Sequence, residues 1–184
     1  MGILSLFKRK QKTRPEDILK HINPDRGMLW DSIADFQEQL KAIDGSVSHK
    51  VGEAQSEKLK EQFPLKQHIE GGLYTRELFM PKGSVVISMI HKQQHPSFLL
   101  KGKVSYVTDD GDINTIVGPT TIFTQTGSQR VLYIHEDTEW ACVYKTDKKT
   151  FEEAEADVYT DDYRTLPKKI INKNKRLWQE YFQQ

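Results

Sequence analysis

Between residues 71 and 146 the chain reads as dense short strands, with a turn signal breaking the run every 7 to 12 residues. Val85, Ile87, Met89 and His91 alternate with Val86, Ser88 and Ile90, the period of a strand whose two faces meet different surroundings. Leu73–Met80 reads as the strand before this one, closed by Pro81-Lys82-Gly83. After it come Phe98-Leu99-Leu100 leading into Gly102, then 104–108, Ile113–Val117, Thr120–Thr124, 130–134 and 140–144. Asp109-Asp110-Gly111 has the chemistry of a hairpin turn, and Gly118-Pro119 and Gly127-Ser128 mark further breaks. About eight short strands at this spacing predict a mainly β fold, a single antiparallel barrel or jelly roll.

The flanks follow a different period. Leu29, Trp30, Ile33, Phe36, Leu40 and Ile43 step by three and four along one helical face, which Asp44-Gly45-Ser46 terminates. Thr13 and Glu16 have capping-box spacing with Pro15 in the first turn, predicting a short helix over 14–22 that stops before Asn23-Pro24. Residues 46–62 read as a polar loop with a weak helix over 53–62. Past the strands, 151–156 forms one or two helical turns. Pro167 then opens a basic helix over 168–184, with Leu177, Trp178, Tyr181 and Phe182 on one stripe. The predicted organisation is a helical N-terminal extension (1–68), a β-barrel (71–146) and a C-terminal extension ending in a basic, aromatic helix (147–184).

Charge and cysteine usage exclude several classes. Lysine and arginine number 27 against 26 acidic residues, so no global field favours nucleic acid. The single cysteine, Cys142, excludes an internal disulfide and a thiolate zinc site, and fits a chain that folds in the cytoplasm. Ile3, Leu4, Leu6 and Phe7 precede the basic residues 8–14, the reverse of a secretory signal. That segment reads either as an amphipathic docking arm or as a solvated terminus. No run reaches the roughly 20 apolar residues of a membrane span, so neither membrane nor nucleic acid is an expected partner.

The strands carry two constellations. Met80-Pro81-Lys82-Gly83, His91-Lys92-x-x-His95 and Gly102 form the first. Gly118-Pro119-Thr120-Thr121, Gly127-x-x-Arg130 and Glu136-Asp137-Thr138 form the second. Their order and spacing resemble the two motifs of the cupins. Together with Gly72-Leu73-Tyr74-x-Arg76-Glu77, they are similar to a group of small cupin-like proteins of bacteriophages and bacteria that share a His-Lys-x-x-His turn and a Gly-x-x-Arg-Val strand. The resemblance covers roughly residues 71–150 and implies a cupin-type jelly roll.

Metal-dependent cupins hold a divalent ion with three histidines and a carboxylate, a donor set suited to iron, manganese, nickel or zinc. Here His91 takes the place of a first-motif histidine, His95 stands where the usual glutamate would be, and Arg130 replaces the second-motif histidine. An arginine does not ligate metal. The resemblance thus implies a site broken at two positions, with no cofactor as the leading expectation. The metal alternative uses His91 and His95 with Glu77 as third ligand. The plain reading has both histidines ordering the turn by hydrogen bonds. Arg130 requires a partner if it points inward, either Glu77 or a bound carboxylate or phosphate. His91, His95, Arg130, Glu77 and Tyr133 are therefore the candidate ligand-binding residues. Cys142, between Trp140 and Val143, reads as core.

Three functions remain. The first is a non-enzymatic phage-type protein whose barrel is an assembly module. It would form homo-oligomers and dock on other subunits through its N-terminal helices and C-terminal helix, in a virion or an infection-stage complex in the host cytoplasm. The second is a metal-dependent cupin enzyme of dioxygenase or isomerase type. The third is a protein that binds or sequesters a small anion through Arg130. The first is the leading expectation.

Overall fold

The computed structural model describes residues 2–6, 28–107 and 113–182, with side chains described for 28–107 and 113–180. The expected helix over 14–22, the basic arm 8–14 and the turn Asp109-Asp110-Gly111 lie outside the described residues.

Two antiparallel sheets face each other. The first runs in the order β2 (Val47–His49), β1 (Gly2–Leu6), β5 (Ser84–Ile87), β11 (Val131–Ile134), β8 (Lys103–Val107) and β9 (Ile113–Val117). The second runs β10 (Thr120–Thr124), β7 (His95–Lys101), β12 (Thr138–Lys145), β4 (Leu73–Met80) and β3 (Leu65–Glu70). The fold is mainly β and antiparallel with helices towards both ends, as the sequence predicts. β4, β9 and β10 coincide with their predicted bounds. The predicted strand through 85–91 divides into β5 and a short β6 (Ile90–His91), which pairs with β13 (Tyr159–Thr160) of the C-terminal extension.

Between the sheets lies the main core. Val86, Val104, Leu132 and Ile134 of the first sheet meet Tyr74, Met80, Leu99, Trp140, Cys142 and Tyr144 of the second. Strand alternation sends the opposite set outward. Val85, Ile87, Val107 and Val131 are covered by α1 (Leu29–Lys41) through Leu29, Ile33, Phe36 and Leu40, and by Trp178 of α4 (Lys168–Phe182). β5 is consequently buried along its whole length. Gly102 makes the close approach that joins β7 to β8. A Cβ there would lie 2.6 Å from the Asp137 carbonyl oxygen, and its φ of +97° suits glycine.

The N-terminal extension is not only helical. β1 pairs with β2 and β5, with Ile3 opposite Ile87 and Leu4 opposite Val86, so the first residues extend the barrel sheet. β3 pairs with β4 along its whole length. Short or alternating polar-apolar segments such as Val47–His49 and Leu65–Glu70 carry weak strand signals, and the sheet they join decides their state. α2 (Glu57–Gln62) is capped by Ser56, whose Oγ accepts from Leu59 N at 3.3 Å. It inserts Leu59 and the following Phe63 into the main core. α3 (Phe151–Val158) is capped likewise by Thr150 and buries Ala154, Glu155 and Val158.

Candidate functional site

A cavity of about 120 Å³ opens at one end of the main core. Its lining is largely apolar, with Leu59, Leu78, Met80, Val86, Met89, Leu132 and Trp140 among its walls. The polar groups set into it include Arg76, Arg130, His91, His49, Ser97 and Tyr159, with Gln55 and Ser88 also on its lining. Apolar walls with a few convergent polar groups are the form of a small-molecule site.

Arg76 is the most constrained of them. It alternates inward with Tyr74 on β4 and is 8% exposed. Its guanidinium lies over the Tyr159 ring, 5.0 Å from the ring centre. Nη1 sits 3.4 Å from Glu155 Oε2 yet makes no hydrogen bond. Glu155, delivered by α3 and 3% exposed, stands behind the lining and meets His49 Nε2 at 2.5 Å. Arg130 donates from Nη1 to Thr124 Oγ1 at 3.1 Å and lies over the Tyr106 ring at 5.3 Å. Two guanidiniums thus line the cavity, and the Glu155 carboxylate faces one of them, Arg76.

The two histidines stack, with ring centres 4.7 Å apart. Both nitrogens of His95 are engaged, Nδ1 with the Gln93 carbonyl at 3.0 Å and Nε2 with Ser97 Oγ at 3.1 Å. Burial pushes the His95 pKa down to about 4, against the bond to Gln93 and with help from Arg130. His91 Nδ1 lies 3.1 Å from Tyr144 Oη, which itself donates to Tyr159 Oη at 2.6 Å. Burial, then His95, Arg130 and Arg76, hold the His91 pKa well below its ordinary value. Both imidazoles are neutral at pH 7. Burial likewise raises the Cys142 thiol, which stays protonated beside Ser97 and has the character of a core side chain.

Of the residues singled out from sequence, the structure brings His91, His95 and Arg130 to this end of the core and leaves two elsewhere. Glu77 faces the other side of β4 from Arg76 and pairs with Lys66 at 2.7 Å on the surface, so the expected Arg130–Glu77 bridge does not form. Tyr133 faces outward from β11, packed against the α1 cluster and edge-on to His135. Each is one residue out of phase, because neighbours on a strand point to opposite faces. Arg76, His49, Glu155 and Tyr159 were not anticipated. Arg76 was within reach of the alternation that buries Tyr74, whereas the other three arrive from the extensions.

This donor set does not fit a cupin metal centre. Glu77 points away, both His95 nitrogens are occupied, and two guanidiniums stand beside the histidines. Among the described residues no three His, Cys, Asp or Glu side chains are grouped to hold a metal ion.

No family model matches the chain, and no curated protein matches it. Solved structures with partial likeness include an acetylacetone dioxygenase from Acinetobacter johnsonii, at 19% identity and TM-score 0.38. That alignment covers 45% of this chain and 59% of the dioxygenase. An ectoine synthase from P. lautus aligns at 9% identity and TM-score 0.41, covering 46% of this chain and 64% of that one. A cupin 2 domain-containing protein from Halorhodospira halophila aligns at 10% and TM-score 0.39, covering 56% and 72%. Likeness of this degree carries no function across. Among the described residues no helix is long and apolar enough to cross a membrane.

Proposed function

We propose that the barrel is a binding vessel for a small organic anion with an apolar body. The observation that carries this reading is Arg76, a cation nine-tenths buried in the cavity wall whose Nη1 has no hydrogen-bond partner. A buried donor left unsatisfied costs about 1–3 kcal/mol, and more when charged. A ligand carboxylate would remove that penalty with charge-assisted hydrogen bonds. Arg130, the anion-binding residue expected from sequence, adds a second positive charge. No catalytic step is assigned, and no metal is required.

The test is calorimetric titration of the full-length protein with small carboxylates, beginning with benzoate, beside Arg76→Met and Arg130→Met. Saturable binding lost in Arg76→Met and weakened in Arg130→Met is expected. Binding that persists in Arg76→Met, or no binding of any carboxylate to the wild type, overturns the reading.

A second reading, the assembly module of a phage-type protein, has its own support. The outer face of the five-stranded sheet carries Phe98, Leu100 and Phe123, and Phe123 is 65% exposed. β10 is one edge of that sheet. Antiparallel pairing of β10 with its copy across a twofold axis would join two sheets and cover Phe123. A virion or infection-stage complex would then be built from such pairs. A dimer by light scattering that Phe123→Lys dissociates supports this reading, and a monomer across the micromolar range removes it.

A further inference from the structure

Two polar atoms of opposite kind in the cavity wall make no hydrogen bond within the protein, and together they describe a ligand more narrowly than charge alone. The donor is Arg76 Nη1. The acceptor is His91 Nε2. Tyr144 gives its own proton to Tyr159, so its oxygen meets His91 Nδ1 as an acceptor, and Nδ1 carries the imidazole proton. Nε2 is left with a bare lone pair. His91 lines the cavity, and no described residue bonds to that nitrogen. His95 cannot play the same part, since both its nitrogens are taken.

Both groups flank one ring: the Arg76 guanidinium carbon and the His91 ring centre are each 5.0 Å from the centre of the Tyr159 ring, and both residues line the same cavity. The cavity, about 120 Å³, compares with the 150 Å³ or so that holds a benzene ring. The wall has two guanidiniums, and one carboxylate, Glu155, stands behind it, an excess that one negative charge balances.

Resting on the anion-binding reading above, we infer that the ligand is a small monocarboxylate that also carries a hydroxyl group, with the carboxylate on Arg76 and the hydroxyl donating to His91 Nε2. A site built to accept from a hydroxyl discriminates strongly against the analogue without one, because its own polar atom is then left unpaired. Tyr144 is a positioning residue here. It fixes the imidazole tautomer through Nδ1 and leaves Nε2 as an acceptor.

The test compares benzoate with ortho-, meta- and para-hydroxybenzoate by calorimetry on the full-length protein, and reads the ratio of affinities. One hydroxylated isomer is expected to bind the wild type at least about tenfold more tightly than benzoate. In His91→Phe that ratio falls to near one. In Tyr144→Phe, which keeps the imidazole and its stacking but releases the tautomer, the ratio also falls. Imidazole nitrogen-15 shifts of the free protein should show Nδ1 protonated and Nε2 bare. Hydroxylated isomers that bind no better than benzoate, or a ratio that survives in whichever variant folds, overturn the inference while leaving anion binding intact. If neither benzoate nor any isomer binds the wild type, the anion-binding reading falls and this inference with it.

Discussion

His95 and His91 are held neutral where the unfolded chain would protonate them, and this sets the acid stability of the protein. The folded pKa of His95 is about 4, against about 6.5 when exposed. Between those values the unfolded state binds the proton and the folded state does not, so stability is full above about pH 6.5 and is lost as pH falls towards 4. His91 acts in the same direction. Each contributes a slope of up to about 1.4 kcal/mol per pH unit. Urea unfolding midpoints measured from pH 7.5 to 4.5 should fall, and His95→Asn should flatten the fall. A wild-type profile already flat over this range would show that the histidines are not buried as described. These two residues were legible in the sequence because a tight His-x-x-x-His turn in a strand pattern marks them whatever their chemistry. Glu77 and Tyr133 were misplaced by one position, since a motif read by analogy does not fix which face of a strand is inside. Arg76 was the residue that phase would have supplied, two positions after buried Tyr74 on the same face of β4.

Secondary-structure elements outside the predicted barrel decide both the chemistry of the site and the cover of the core. α3 supplies Glu155, the carboxylate behind Arg76. Its replacement should move stability and binding in opposite directions. Glu155→Gln removes the charge that faces Arg76 and His49, and breaking a buried pair costs about 3 kcal/mol or more. The same change leaves more uncompensated positive charge at the cavity, so affinity for benzoate should rise. Denaturant titrations with and without benzoate, beside calorimetry, measure both effects, and weaker benzoate binding would contradict the electrostatic account. α4 covers the other sheet through Trp178, which is 1% exposed. Trp178→Ala should destabilise by about 3–5 kcal/mol and leave the affinity ratio among carboxylates unchanged, because the tryptophan lies across the sheet from the cavity. The stripe Leu177, Trp178, Tyr181 and Phe182 made this helix visible in the sequence. Its docking site was not visible, because the covered face of the sheet is assembled from β5, β8 and β11, which are distant in sequence. The exposed basic residues of α4 stand opposite its buried face, as solvated charges do on an amphipathic helix.

The whole molecule does not divide where the composition changes. Sequence periodicity isolates residues 71–146 because the strong alternation begins and ends there, and every inner strand of the two sheets except β1 lies within it. The barrel nevertheless depends on chain from both sides. β1 covers the edge of β5 through four paired positions, Ile3 to Leu6. Leu59 and Phe63 fill the core between the sheets, and Val158 and Tyr159 close it from the other terminus. A fragment of residues 71–146 would lose β1, leaving β5 as an unpaired apolar edge. It would also expose Val85, Ile87, Val107 and Val131, which α1 and α4 cover in the full chain. Arg76, Arg130, Ser97 and the two histidines would remain of the polar site, without His49, the counter-charge of Glu155 and the ring of Tyr159 beside them. The expected result is a fragment that unfolds without a cooperative transition, or aggregates, and shows no saturable benzoate binding, while the full chain unfolds in one transition that benzoate displaces upward. Circular dichroism melts of the two, each with and without benzoate, make the comparison. A cooperative fragment that still binds would mean that the inner strands alone carry fold and function, and that the terminal segments serve another purpose. The burial pattern argues otherwise, because the cavity wall is made from three stretches of chain that meet only when all of them fold.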